Sequence, residues 1–172
     1  MEINTHDSPK HSIAYTAPVN PPGVEPKLTY ALIWEGLKIK VGAGQVFVGG
    51  AITDTVVVSQ EKDQLGQDVT ERVATFADGN VKTRERCTHY PPIKVEFLRY
   101  DGTKVQNIIS EGAQGELYMT YVFDLIHFGK NPEESEAQKP KDLNMARVAV
   151  ETTLEVMREM VRDGKIKRFV SS

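Results

Sequence analysis

Asp142-Leu143-Asn144-Met145-Ala146-Arg147-Val148-Ala149-Val150-Glu151-Thr152-Thr153-Leu154-Glu155-Val156-Met157-Arg158-Glu159-Met160-Val161-Arg162-Asp163 carries one pattern from end to end. Ala146, Val150, Leu154, Met157 and Val161 follow at steps of four, four, three and four, the spacing of one helix face. Ala149, Thr153 and Met160 widen that stripe, while Glu151, Glu155, Arg158, Glu159 and Arg162 read as the solvated side. Asp142, or Pro140 just before it, marks the start, and Gly164-Lys165 marks the stop. At about 1.5 Å per residue the helix reaches about 30 Å, the width of a small domain. One apolar stripe of that length needs a broad partner.

Upstream, the period changes to two. Strands are expected at about Ala51 to Gln60, Asp68 to Phe76, Val81 to Tyr90, Ile93 to Tyr100, Thr103 to Ser110 and Glu116 to Phe128. Turn chemistry fills the gaps, most strongly at Asp101-Gly102, and also at Asp78-Gly79-Asn80 and Pro91-Pro92. The charged, proline-bearing run Gly129 to Lys141 reads as an exposed loop. Nearer the start, Ser12 to Ala17 alternates as a strand that Pro18, Pro21, Pro22 and Gly23 end. Thr29 is placed to cap a helix from Tyr30, with Ile33, Trp34, Leu37 and Val41 on one face. Glycines at 42 and 44 interrupt it, and a second short helical turn around Gln45 to Val48 is expected before Gly49-Gly50. The chain thus reads as one domain over residues 11–166, with tails at 1–10 and 167–172. Its class is α+β: a curved antiparallel sheet of about seven strands around a long C-terminal helix, with two short helices after the first strand.

Composition removes several function classes. The 172 residues carry a formal charge of -3, and Lys and Arg are scattered among carboxylates, so nucleic acid is not an expected partner. Cys87 is the sole cysteine and excludes an intrachain disulfide. The polar start from Met1 to Lys10 lacks the apolar region of a secretory signal, and no run is long and apolar enough to span a bilayer. The expected location is cytoplasmic, and a homodimer is compatible with the sequence. His89 and His127 lie at no metal-ligand spacing with Cys87. Gly42-Ala43-Gly44 follows a helix and lacks the glycine and lysine of a phosphate loop. Ser12, Ser59 and Ser110 sit in no nucleophile elbow. No metal and no cofactor are therefore expected.

The order of elements resembles the SRPBCC superfamily of START-like helix-grip proteins, which includes the birch-pollen allergen and polyketide cyclases. Short motifs narrow the resemblance to the AtaL-like family of fungal secondary-metabolite clusters. They are Ala14-Tyr15-Thr16-Ala17-Pro18-Val19-Asn20-Pro21-Pro22-Gly23, Leu28-Thr29 with Ile33-Trp34-Glu35-Gly36-Leu37, Asn107-Ile108-Ile109-Ser110, Leu117-Tyr118-Met119-Thr120-Tyr121, and Val150-Glu151-Thr152-Thr153 with Asp163-Gly164-Lys165-Ile166. The resemblance implies an apolar cavity between sheet and last helix. It also implies that Val41-Gly42-Ala43-Gly44 and Gly49-Gly50, where relatives carry a charged helical stretch, border the cavity mouth.

Polar residues set among apolar ones are the candidate site. Asn107 lies between Val105 and Ile109 on one strand face, and Tyr121 shares a face with Leu117, Met119, Phe123 and Leu125. Periodicity does not say which face lines the cavity. Trp34, Phe97, Met119, Phe123 and Met157 are the expected lining, with Tyr121 or Asn107 polarising a carbonyl. The same residues would equally fill a packed core. Thr70-Glu71-Arg72 and Thr83-Arg84-Glu85-Arg86 read either as a solvent-facing ion-pair ladder or as the source of one inward Arg or Glu. Together these point to a small hydrophobic molecule as partner. The expected function is cofactor-independent cyclisation, dehydration or isomerisation of a polyketide-like intermediate. A carrier without chemistry is the alternative, and an interaction module a third reading.

Overall fold

The computed structural model describes residues 7–167. Period-two alternation and turn chemistry yield seven antiparallel strands: β1 (Lys10–Pro18), β2 (Ile52–Lys62), β3 (Asp68–Phe76), β4 (Val81–Tyr90), β5 (Lys94–Arg99), β6 (Lys104–Glu111) and β7 (Leu117–Ile126). They form one curved sheet in the order β1-β7-β6-β5-β4-β3-β2. Only the β1–β7 pairing joins distant segments, and its register runs unbroken from Lys10↔Ile126 to Pro18↔Tyr118. The Asp101-Gly102 hairpin closes as its sequence dictates. Gly102 takes a φ of +98°, and the Asp101 carboxylate accepts the Thr103 N–H at 2.9 Å.

Between β1 and β2 lie helix α1 (Tyr30–Gly42) and a single 3-10 turn (Gly44–Val46), where a second short helix was expected. The Thr29 side chain caps α1 by accepting the Leu32 N–H at 3.3 Å. Gly49 and Gly50 have positive φ, so the chain turns away there rather than extending the 3-10 turn.

Helix α2 (Pro132–Arg162) has 31 residues and starts ten residues before the expected Asp142. Residues 132–141 carry no apolar stripe, which is why they read as a loop. Their helical signal is a capping box: the Asn131 side chain accepts the Glu134 N–H, and the Glu134 carboxylate accepts the Asn131 N–H, both at 2.9 Å. A polar clamp substitutes for the missing stripe. His127, just beyond β7, bonds Ser135 Oγ through Nδ1 at 2.7 Å and Asp142 Oδ2 through Nε2 at 2.8 Å, and all three are buried. Two residues seven apart on α2 are thereby tied to the end of the sheet. Pro9, inside the expected tail, is also bound: its carbonyl accepts the His127 N–H at 2.9 Å. The rest of that expected tail up to residue 6, and the expected tail beyond 167, lie outside the described residues.

The predicted face of α2 is the buried one: Ala146, Val150, Thr153, Leu154, Met157, Met160 and Val161 all face the interior. Arg158 is the correction. Four residues after Leu154 and eight after Val150, it lies on the edge of the same stripe and is buried, not solvated. Near the end of α2, Met157 packs into the space left by Gly36 of α1, where a Cβ would stand 2.8 Å from the Met157 side chain. Leu154→Ala should therefore cost about 2–5 kcal/mol in urea denaturation, whereas Glu155→Ala should shift stability by about 0.5 kcal/mol or less. Equal midpoints for the two variants would contradict this packing.

Candidate functional site

The inward face of the sheet is fixed by register. Asn107 pairs with Tyr121, Val105 with Phe123, and Phe97 with Val105, so these side chains lie beside one another on adjacent strands. Above them, between the sheet, α2 and the turn after α1, is a cavity of about 610 Å³. That size suits a small organic ligand. Its walls include Phe76, Phe97, Val105, Phe123 and Leu125 from the sheet and Ala149 from α2. Exposed Gly49, Ala51, Ala77, Met145 and Val148 mark the mouth; of the glycine segment that the resemblance placed there, Gly49 lines the cavity, whereas Val41 to Gly44 and Gly50 do not.

One end of the cavity is charged, and its centre is a residue that sequence reasoning missed. Lys40, near the end of α1, is 5% exposed and lines the cavity. Its Nζ donates to Asn107 Oδ1 and to the Tyr121 hydroxyl, each at 2.8 Å, and lies 4.3 Å from the Tyr121 ring centroid. Tyr121 in turn donates to Thr153 Oγ1 at 2.8 Å, and Thr153 reaches the Phe47 carbonyl at 3.5 Å. The signal for Lys40 was its position: three residues after Leu37 and seven after Ile33, it falls on the apolar face of α1.

Arg72 closes the arrangement from β3. It bonds Glu85 of β4 through Nε at 2.7 Å and Nη2 at 2.6 Å. Its Nη1 donates to the carbonyls of Lys40 and Val41 at 3.1 and 2.9 Å, satisfying the C-terminal end of α1. The same guanidinium stacks 4.8 Å from the Phe97 centroid. The inward reading holds for Arg72 and Glu85, whereas the outer ladder is solvent-facing only at Arg84 and Arg86, because Glu71 between them is buried. Arg72 and Glu85 point inward, while Glu71 accepts from Arg84 and Arg86 at 3.4 Å and from Tyr100 at 3.1 Å on the outer side.

This environment sets the protonation states. Burial, then the neighbouring Arg72 charge, pull the Lys40 amine down from an ordinary 10.5 to about 7, with Glu85 and Cys87 pulling weakly the other way. Burial pushes the Tyr121 phenol well above its ordinary value, so it stays protonated. Asn107 turns Oδ1 to Lys40 and accepts from its Nζ. That leaves its fully buried Nδ2 without a partner among the described residues, on a side chain that lines the cavity. A free N–H donor and an amine of tunable charge thus meet in an apolar chamber, a combination suited to holding and polarising a ligand carbonyl. Of the two residues expected to polarise a carbonyl, Asn107 has the free donor. The Tyr121 hydroxyl is committed to Lys40 and Thr153.

The structure brings together Asn107, Tyr121, Phe97 and Phe123 at the cavity. It does not bring Trp34, Met119 or Met157 there. Met119 and Met157 are fully buried in the packed core, and Met157 is taken up by Gly36. Trp34 is half-buried on α1 and forms a T-shaped pair with His89, with ring centroids 6.1 Å apart. Cys87 is buried, and its thiol is pushed up to about 12 by that burial, which makes it a packing residue.

Similar architectures recur among solved structures at low sequence identity. The Zhui aromatase/cyclase from Streptomyces sp. R1128 aligns with a TM-score of 0.57 at 15% identity, covering 90% of this chain and 98% of that one. The di-domain aromatase/cyclase StfQ from the steffimycin biosynthetic pathway gives a TM-score of 0.59 at 10% identity, covering 94% of this chain and 53% of the longer one. A protein of Thermus thermophilus gives 0.52 at 14%, covering 91% and 99%. At these identities the likeness is one of fold. No curated protein matches the sequence. The model of the AtaL family, described as acetylaranotin biosynthesis cluster protein L, matches residues 13–164, and the chain belongs to that family.

Proposed function

We propose that this protein is a cofactor-independent enzyme of secondary metabolism that binds an apolar, polyketide-like carbonyl compound and steers its cyclisation, dehydration or isomerisation. The observation that carries this reading is Lys40, a buried amine held by Asn107 and Tyr121 at the charged end of a mainly apolar cavity. All three reactions proceed through loss of a proton beside a carbonyl. The neutral Lys40 amine accepts that proton, and Asn107 Nδ2 donates to the oxygen as its charge grows. The walls hold one conformer and exclude water. Membership of a family described from a biosynthesis cluster, and the aromatase/cyclases among the fold neighbours, support the assignment.

The apolar wall favours one other reading, a carrier that retains its ligand unchanged. Benzylacetone, an apolar ketone, separates the two. In deuterated buffer the protein should speed deuterium uptake next to the carbonyl by about 10²-fold or more over Lys40→Met, the usual yield of a positioned base. Tight binding without exchange would make the protein a carrier. Chelation should leave the melting temperature unmoved, whereas a metal held by the native state would be lost with a shift of several degrees.

A further inference from the structure

The same amine has the surroundings of a nucleophile. We infer that Lys40 forms a covalent imine with the carbonyl carbon of its ligand, and that the ligands of this cavity are aldehydes or unhindered ketones carried on an apolar body. This rests on the proposed carbonyl chemistry and goes further, since a base and an imine-forming amine are different devices.

Geometry carries the inference. A tetrahedral Nζ has three positions besides Cε. Two are spent as N–H donors to Asn107 Oδ1 and the Tyr121 hydroxyl. In the neutral amine the third is a lone pair, and Lys40 has no further hydrogen-bond partner among the described residues to occupy it. The nitrogen is thus held by two bonds with its reactive pair unspent, at the wall of a chamber with room for the electrophile. Every element around it bears on its charge. Arg72 of β3 disfavours the ammonium, while Glu85 and Cys87 of β4 favour it. Asn107 of β6 and Tyr121 of β7 are neutral, and Thr153 of α2 lies behind Tyr121. Burial dominates, and about half of the amine is neutral near pH 7.

The step balances without a co-reactant. The nitrogen lone pair forms an N–C bond as the C=O π pair moves to oxygen, where Asn107 Nδ2 steadies it. Nitrogen loses a proton and oxygen gains one, giving a carbinolamine. A second proton reaches that oxygen, the C–O bond breaks, and water leaves as the C=N bond forms. Hydrolysis returns the amine. While it lasts, the protonated imine withdraws electrons from the adjacent carbon more strongly than the ketone does.

Trapping tests this on the intact protein. With 2-naphthaldehyde and cyanoborohydride, an imine is reduced to a stable naphthylmethyl amine that peptide mass spectrometry assigns to one lysine. Lys40 should be labelled at least about tenfold faster than exposed Lys38, Lys62 or Lys165, since a neutral amine in an apolar pocket is the stronger nucleophile. Its rate should rise with pH and level off just above about 7, and benzylacetone should slow labelling at Lys40 alone. Lys40→Arg keeps a cation in place and should lose that fast label. Fast labelling that persists in Lys40→Arg would belong to another amine and would overturn the inference. Lys40 labelled no faster than exposed lysines, with benzylacetone still bound and its deuterium exchange intact, would overturn the imine and leave the base in place. Loss of binding and exchange as well would remove both.

Discussion

Arg72→Met is expected to lower stability by about 3–5 kcal/mol, the range for removing one partner of a buried ion pair. Arg72 and Glu85 are 3% and 4% exposed. Methionine matches the aliphatic stem but leaves the Glu85 carboxylate buried, with Arg99 at 3.8 Å as its remaining cationic partner among the described residues. It also removes the guanidinium donor from two carbonyls at the end of α1, leaving that of Lys40 with the Ala43 N–H at 3.3 Å. The outward Arg84, whose side chain is 49% exposed, provides the comparison: Arg84→Met should cost about 1 kcal/mol or less. Urea midpoints measure both. The double variant Arg72→Met/Glu85→Leu should recover much of the loss, because the orphaned charge is then gone. Equal effects at positions 72 and 84 would mean that the inward pair does not organise this end of the cavity.

Lys40→Met is expected to separate function from stability. Turnover or proton exchange should fall by about 10²–10⁴-fold, the contribution of a positioned acid–base group. The fold should respond in the other sense as pH varies. The folded state lowers the Lys40 pKa from 10.5 to about 7, so between those values the unfolded chain binds the proton that the folded one has released. Raising pH across that window removes the advantage of the unfolded state, so the stability of the native protein relative to Lys40→Met should climb by several kcal/mol and be flat below about 7. Denaturation of the pair at matched pH values checks this. A difference independent of pH would show that Lys40 titrates as an ordinary lysine.

Much of the fold was legible because local rules sufficed. Strands β3 and β4 begin and end where alternation and turn residues place them. Thr29 and the α2 stripe act within their own helices. The first ten residues of α2 were not legible from apolar periodicity, since a capping box and the His127 clamp support them instead. At the site, Asn107 and Tyr121 stood out as polar residues on apolar strand faces, and register alone makes them neighbours. Trp34 and Met157 show the limit of periodicity. A helix stripe says that a side chain is buried, not whether it meets a cavity or another helix, and Gly36 decides the latter for Met157. Lys40 was hidden for a related reason. A lysine in a helix reads as a solvated position, and the acceptors that keep this one inside come from β6 and β7, 67 and 81 residues away.

Lys40, at the charged end of the cavity, is proposed to receive the ligand carbonyl. A crystal structure of the protein soaked with benzylacetone tests it without intermediaries. The phenyl ring is expected among Phe97, Phe123 and Leu125, with the carbonyl either within about 3 Å of Lys40 Nζ and Asn107 Nδ2 or joined to Nζ. A saturated crystal with the ketone absent from the cavity, or bound with its carbonyl turned to the mouth at Met145 and Val148, would contradict it.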